Sequence, residues 1–277
     1  MPAGAFKVRG GLTYFSQLAK DQPGLAGVVC ATRGNHGQSI GYGARKYGFP
    51  ATIVVPHGNS VEKNAAMKVL GATLLEHGDD FQSAREYAIG LAAERKLHMV
   101  PSYHRDLVRG VMSYWVEFFE SFPKGEEPEV AYVPIGQGSG FCAAAAARAH
   151  TGVKTKLIGV VSAHATTYLD SFRAGKIVEA PVTTVLADGM ACRLADAEAL
   201  EIVLKEAEAI VTVTDEQVAE AMRILFADTH NVAEGAGAAA LAAVIQSKDK
   251  LQGRSVGIAL TGGNVDSAVF AKVLAGG

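Results

Sequence analysis

What most constrains this chain is a rhythm: short apolar runs rich in β-branched residues alternate with longer helical patterns. Gly27-Val28-Val29-Cys30-Ala31 precedes a helical stretch from Ile40 to Tyr47, Ala51-Thr52-Ile53-Val54-Val55 precedes Val61 to Leu70, and Ala72-Thr73-Leu74-Leu75 precedes Phe81 to Arg95. The rhythm resumes with Glu129-Val130-Ala131-Tyr132-Val133 before an alanine-rich helix and with Lys156 to Val161. It continues with Ala209 to Val213 before a helix from Asp215, and with Ser255 to Leu260 before a last helix. Strands that read as unbroken apolar runs are buried on both faces, and a helix-length segment after each is the crossover that parallel neighbours require. The expected fold class is therefore α/β, built on open, twisted, mostly parallel sheets. A helix from Leu107 to Phe122, followed by the polar, breaker-rich Pro123-Lys124-Gly125-Glu126-Glu127-Pro128, separates the two blocks and implies two lobes.

Composition narrows the partners. A chain of 277 residues with 49% hydrophobic content has enough apolar surface for a large core, and its formal net charge of -2 gives no basic patch for nucleic acid or an anionic membrane. Neither partner is expected. No run of about eighteen apolar residues suggests a membrane span, and no charged-then-apolar start suggests a signal peptide, so a cytoplasmic protein is expected. Cys30, Cys142 and Cys192 are odd in number, far apart and without CxxC spacing, which suits reduced thiols in a core better than disulfides or a zinc site.

Open α/β sheets bind ligands beyond the carboxyl ends of their strands, which directs attention to the strand-to-helix loops. After the strand ending at Val133 comes Gly136-Gln137-Gly138-Ser139-Gly140, opening onto the alanine-rich helix. Converging N–H groups and a helix N-terminus suit a phosphate, although a plain glycine turn has the same composition. The loop Thr32-Arg33-Gly34-Asn35-His36 also joins a strand to a helix and can hold a substrate carboxylate; the alternative is that Asn35 and His36 only cap the helix. Thr261 offers a neutral hydroxyl at the end of the last strand, or simply turn chemistry. Near the start, Ala5-Phe6-Lys7-Val8-Arg9-Gly10 places a lysine between an aromatic and small residues. Read alone it is either a nucleophilic amine or a solvated side chain.

In order along the chain, Ala5-Phe6-Lys7-Val8-Arg9-Gly10, Gly34-Asn35-His36-Gly37-Gln38, Gly136-Gln137-Gly138-Ser139-Gly140, Ala233-Glu234-Gly235-Ala236-Gly237-Ala238 and Gly262-Gly263-Asn264-Val265-Asp266 resemble the serine/threonine dehydratase family of fold-type II pyridoxal-phosphate enzymes. The resemblance spans nearly the whole chain, and five ordered motifs are far more specific than any one. It implies pyridoxal 5'-phosphate as cofactor, carried covalently by Lys7 next to Phe6. It also implies contacts from Asn35 to the pyridine hydroxyl, from Gly136, Gln137, Gly138, Ser139 and Gly140 to the phosphate, and from Thr261 to the pyridine nitrogen, with Glu234 counted among the cofactor-binding residues. Thr32, Arg33, Gly34, Asn35 and His36 are implied as the substrate loop. The implied lobes are a large cofactor-binding domain of residues 1–27 and 107–277 and a small domain of residues 28–106. The implied activity is β-elimination from threonine, serine or a related β-hydroxy amino acid by a homodimer; β-replacement or threonine-synthase-like chemistry, and a non-catalytic remnant of the fold, are the alternatives.

Three departures from the family pattern carry expectations of their own. Arg33 stands where the family usually has a small residue, often the serine that gives racemase relatives a second acid/base, which argues against racemisation. Val161 and Thr167 stand where metal-dependent relatives offer carboxylates, so no metal site is expected. Family members usually carry some tens of residues before the lysine, which implies an N-terminal truncation, and the short tail after the last motif implies no isoleucine-responsive regulatory domain.

Overall fold

A computed structural model describes residues 2–276, and their contacts divide the chain into two units. The first takes the residues up to Gly110 together with Asn264–Asp266; the second takes Val111–Gly263 and the residues from Ser267 onward.

The first unit opens with α1 (Lys7–Asp21) and continues β1 (Val28–Ala31), α2 (Asn35–Tyr47), β2 (Ala51–Val55), α3 (Val61–Val69), β3 (Thr73–Glu76), α4 (Phe81–Arg95), β4 (His98–Met99) and the start of α5 (Arg105–Glu120). Its sheet has the order β3-β2-β1-β4, with every pair parallel. β1 is fully buried, whereas the edge strand β3 is half-exposed, as position in an open sheet dictates. Residues 1–27 are expected in the larger lobe, but the described ones among them, 2–27, fold instead with this smaller sheet. The reason is the apolar face of α1: Tyr14, Phe15 and Leu18 belong to one core cluster with Val28, Ile40, Ile53 and Met67. The α1 start is also tied to α2, since Ser39 Oγ donates to the Lys7 carbonyl at 2.6 Å.

The second unit holds the rest of α5, then β5 (Val130–Pro134), α6 (Ser139–Thr151), β6 (Lys156–Ser162), α7 (Thr167–Ala174), α8 (Ala197–Glu206), β7 (Ala207–Val213), α9 (Asp215–Thr229), α10 (Gly235–Gln246), β8 (Val256–Ile258) and α11 (Ser267–Leu274). Its sheet runs β7-β6-β5-β8, again all parallel. The alanine-rich helices α6 and α10 are buried over most of their length, which small side chains permit, and α10 packs on β5 and β6. The sequence expectation of an α/β fold with two parallel sheets is met. Among the described residues, no helix is long and apolar enough to cross a membrane.

Candidate active site

In the first unit the polar groups gather where β1 hands over to α2. Thr32, buried, accepts from Gly34 N at 2.9 Å and from Gly37 N at 3.1 Å through Oγ1, so it supplies the capping that the N-cap residue Gly34 has no side chain to give. The capping alternative for Asn35 and His36 thereby falls to Thr32, and their side chains serve elsewhere. Asn35 Oδ1 accepts from Asn264 Nδ2 at 2.8 Å.

His36 is 8% exposed, and its Nε2 is a buried atom with no hydrogen-bond partner among the described residues. Burial first, and then the positive charge of Lys7, push its pKa down from 6.5 to about 3. The imidazole is therefore neutral at physiological pH. Lys7 is the first residue of α1, and its Nζ lies 5.2 Å from the centre of the Phe6 ring. Arg33 in the same turn is half-buried, with its Nε enclosed and without a hydrogen-bond partner among the described residues. Lys7, Asn35, His36 and Arg33 thus fall within one unit, whereas the implied lobes put Lys7 in the large domain and the other three in the small one.

In the second unit the glycine loop follows β5 and ends at Gly138, the N-cap of α6, which has φ +94° and offers no capping side chain. A Cβ at Gly138 would lie 2.5 Å from Ala199 Cβ and 2.9 Å from the Tyr168 hydroxyl, and one at Gly136 would collide with the Gly189 carbonyl. Only glycine allows this loop to close around the helix start with its amides presented. The Gln137 side chain turns to Cys192, its Nε2 donating to Sγ at 3.1 Å, while that thiol donates to Leu194 O at 3.0 Å. Burial pushes the Cys192 thiol up to about 12 and the Tyr168 hydroxyl well above its usual range, so both stay protonated and place no negative charge behind the loop.

β8 neighbours β5 in the same sheet, so the loops at their carboxyl ends open side by side. Thr261, 9% exposed, lies just past β8 and donates through Oγ1 to Ala236 O at 3.4 Å. Glu234 is buried as the N-cap residue of α10, with its backbone N–H on Gly262 O at 3.0 Å. Sequence reasoning missed the packing behind the glycine loop, formed by Tyr168, Gly189, Cys192 and Ala199. It also missed the Asn264 contact, whose partners are separated by 229 positions and leave no local signal.

Over residues 1–262 the sequence matches the family described as pyridoxal-phosphate dependent enzyme. The chain belongs to that family. It is 30% identical over 272 residues to the L-threonine ammonia-lyase of Thermotoga maritima, covering 98% of this chain and 67% of that relative. It is also 30% identical over 274 residues to the L-threo-3-hydroxyaspartate ammonia-lyase of Saccharomyces cerevisiae, covering 99% of this chain and 83% of that relative. The structure of maize serine racemase superposes with a TM-score of 0.88 at 25% identity, covering 99% of this chain and 84% of that one.

The residues present fit the family's cofactor. Backbone amides at an uncapped helix start suit its phosphate, and the buried Nε2 of a neutral His36 is an unfilled polar position of the kind a ligand completes. Within the first unit the Lys7 amine and the Asn35 carboxamide suit an aldehyde and a ring oxygen, and within the second the buried neutral hydroxyl of Thr261 suits a ring nitrogen.

Proposed function

We propose that this enzyme removes the elements of water from a β-hydroxy amino acid, threonine, serine or a close relative, and that the resulting enamine takes up a water molecule again to release a 2-oxo acid and ammonia. Lys7 holds the pyridoxal phosphate, Asn35 faces its ring oxygen, the loop Gly136 to Gly140 takes its phosphate and Thr261 faces its ring nitrogen, with Phe6 and Glu234 completing the surroundings. When bound, the cofactor supplies an electron sink for charge developing at Cα. Lys7 Nζ is the base that takes the Cα proton, and the adjacent His36, held neutral, adds no second positive charge beside it. The turn Thr32 to His36 receives the substrate carboxylate at the start of α2, where the helix dipole favours an anion.

The observation that carries the reaction type is Thr261, a buried hydroxyl and not a carboxylate at the end of β8. A neutral hydroxyl does not keep a ring nitrogen protonated, so a carbanion is stabilised weakly and prompt loss of the β-hydroxyl is favoured over longer-lived chemistry. The substrate is a small amino acid, and as part of the same reading the enzyme works as a homodimer in the cytoplasm. Its three cysteines are buried free thiols of the kind a reducing compartment maintains.

The direct test supplies the protein with pyridoxal phosphate and offers L-threonine, L-serine and L-threo-3-hydroxyaspartate separately. Equimolar 2-oxo acid and ammonia from at least one of them is expected; a cofactor-loaded protein that releases neither from all three would contradict the reading.

A further inference from the structure

Asn264 donates both hydrogens of one amide group. Its Nδ2 reaches the Ala3 carbonyl at 2.8 Å and Asn35 Oδ1 at 2.8 Å. The Ala3 carbonyl can only accept, which fixes the nitrogen of Asn264 on that side; the second hydrogen then requires an acceptor, which fixes Asn35 with its oxygen toward Asn264. A carboxamide whose oxygen is held in this way has its own NH2 group to present in the other direction. We infer that Asn264 is a positioning residue that locks Asn35 as a hydrogen-bond donor toward the cofactor's ring oxygen, and so holds that oxygen in its ionised form. The inference rests on the proposed pyridoxal-phosphate role of Asn35.

Two further features tie Asn264 to this task. Gly4, at φ +62°, lies where any Cβ would collide with Asn264 Oδ1, so the turn just before Lys7 leaves room for that side chain only because it carries none. Two residues on, Asp266 binds the start of α3, accepting from Ser60 Oγ at 2.5 Å and from the Val61 and Glu62 N–H groups at 3.3 Å each. The segment carrying Asn264 is therefore anchored on α3 while its amide is aimed at Asn35. Charge-assisted bonds to an anionic oxygen are the stronger kind, so the orientation of one amide is enough to bias a ring oxygen's ionisation.

The test is the absorbance spectrum of the holoenzyme as a function of pH, with no substrate present. Asn264→Asp keeps the shape but can only accept, which turns the NH2 of Asn35 toward the new carboxylate and its oxygen toward the cofactor. The expected result is a band of the ionised ring oxygen that weakens in favour of the protonated form, with the pH of equal populations raised by about one unit, equivalent to about 1.4 kcal/mol. Gly4→Ala, which displaces Asn264 from the opposite side, should move the same balance in the same direction. Melting temperatures report whether each variant folds. Spectra indistinguishable from wild type in both variants, or unfolding of both, would overturn the inference by assigning Asn264 to the fold alone. A wild-type protein that develops no cofactor band would instead overturn the proposed function.

Discussion

Around β1 and α2 the proposed functional groups are side-chain atoms, the Lys7 amine, the Asn35 carboxamide and the His36 imidazole, each on or next to the first turn of a helix. Around β5 and α6 they are mostly backbone amides, and the side chains nearby, Gln137, Cys192 and Tyr168, are occupied in packing or held neutral. The difference teaches where mutation should act on chemistry and where it should act on binding through the shape of the backbone.

The largest effect is expected from Lys7→Ala. It should lower turnover by at least about 10³-fold, the scale of a lost acid-base group, while the melting temperature stays close to wild type because alanine is a better helix former than lysine. Retained turnover would remove the side-chain half of the comparison.

His36 sharpens that half through pH. Its folded pKa of about 3 lies below the ordinary 6.5, so between those values the unfolded chain binds the additional proton and stability rises with pH. In denaturant titrations the advantage of wild type over His36→Gln should shrink by about 1.4 kcal/mol for each pH unit lowered within that window, and level off below it. Parallel stability curves would show that His36 titrates normally.

Much of this contrast was legible in the sequence and part of it was not. β1, β2 and β5 stand out as apolar runs, and α4 fills Phe81–Arg95 as its pattern predicts, because central parallel strands and their crossovers need little context. β4 is two residues at a sheet edge, with no run to read, and α10 is mostly glycine and alanine with a few aliphatic residues, so it shows no polar face. The family layout puts residues 1–27 in the larger lobe, whereas the packing of Tyr14, Phe15 and Leu18 against residues far along the chain places the described ones, 2–27, with the smaller sheet. For the candidate site, the motifs single out residues to test; the Asn35–Asn264 bond and the neutrality of His36 depend on partners that only folding brings near.

The backbone half is tested by Gly138→Ala. A Cβ there meets Ala199 at 2.5 Å in a left-handed conformation at φ +94°, and distortion on the scale of 1–2 kcal/mol corresponds to a rise of about tenfold in the Kd for pyridoxal phosphate. Lowered stability with unchanged cofactor affinity would reduce the loop to a turn.

The most selective effect is expected at Arg33, whose enclosed Nε has no hydrogen-bond partner among the described residues. If the guanidinium reads a second substrate carboxylate, Arg33→Ser should lower kcat/KM for 3-hydroxyaspartate by about 1.5–3 kcal/mol in transition-state terms and spare threonine. Equal losses on both substrates would make its role structural.

The most direct test of the central claim is borohydride reduction of the holoenzyme followed by peptide mapping. The cofactor should be fixed to the peptide containing Lys7. Its attachment to a different lysine, such as Lys63, a buried lysine of the same unit, would contradict the account.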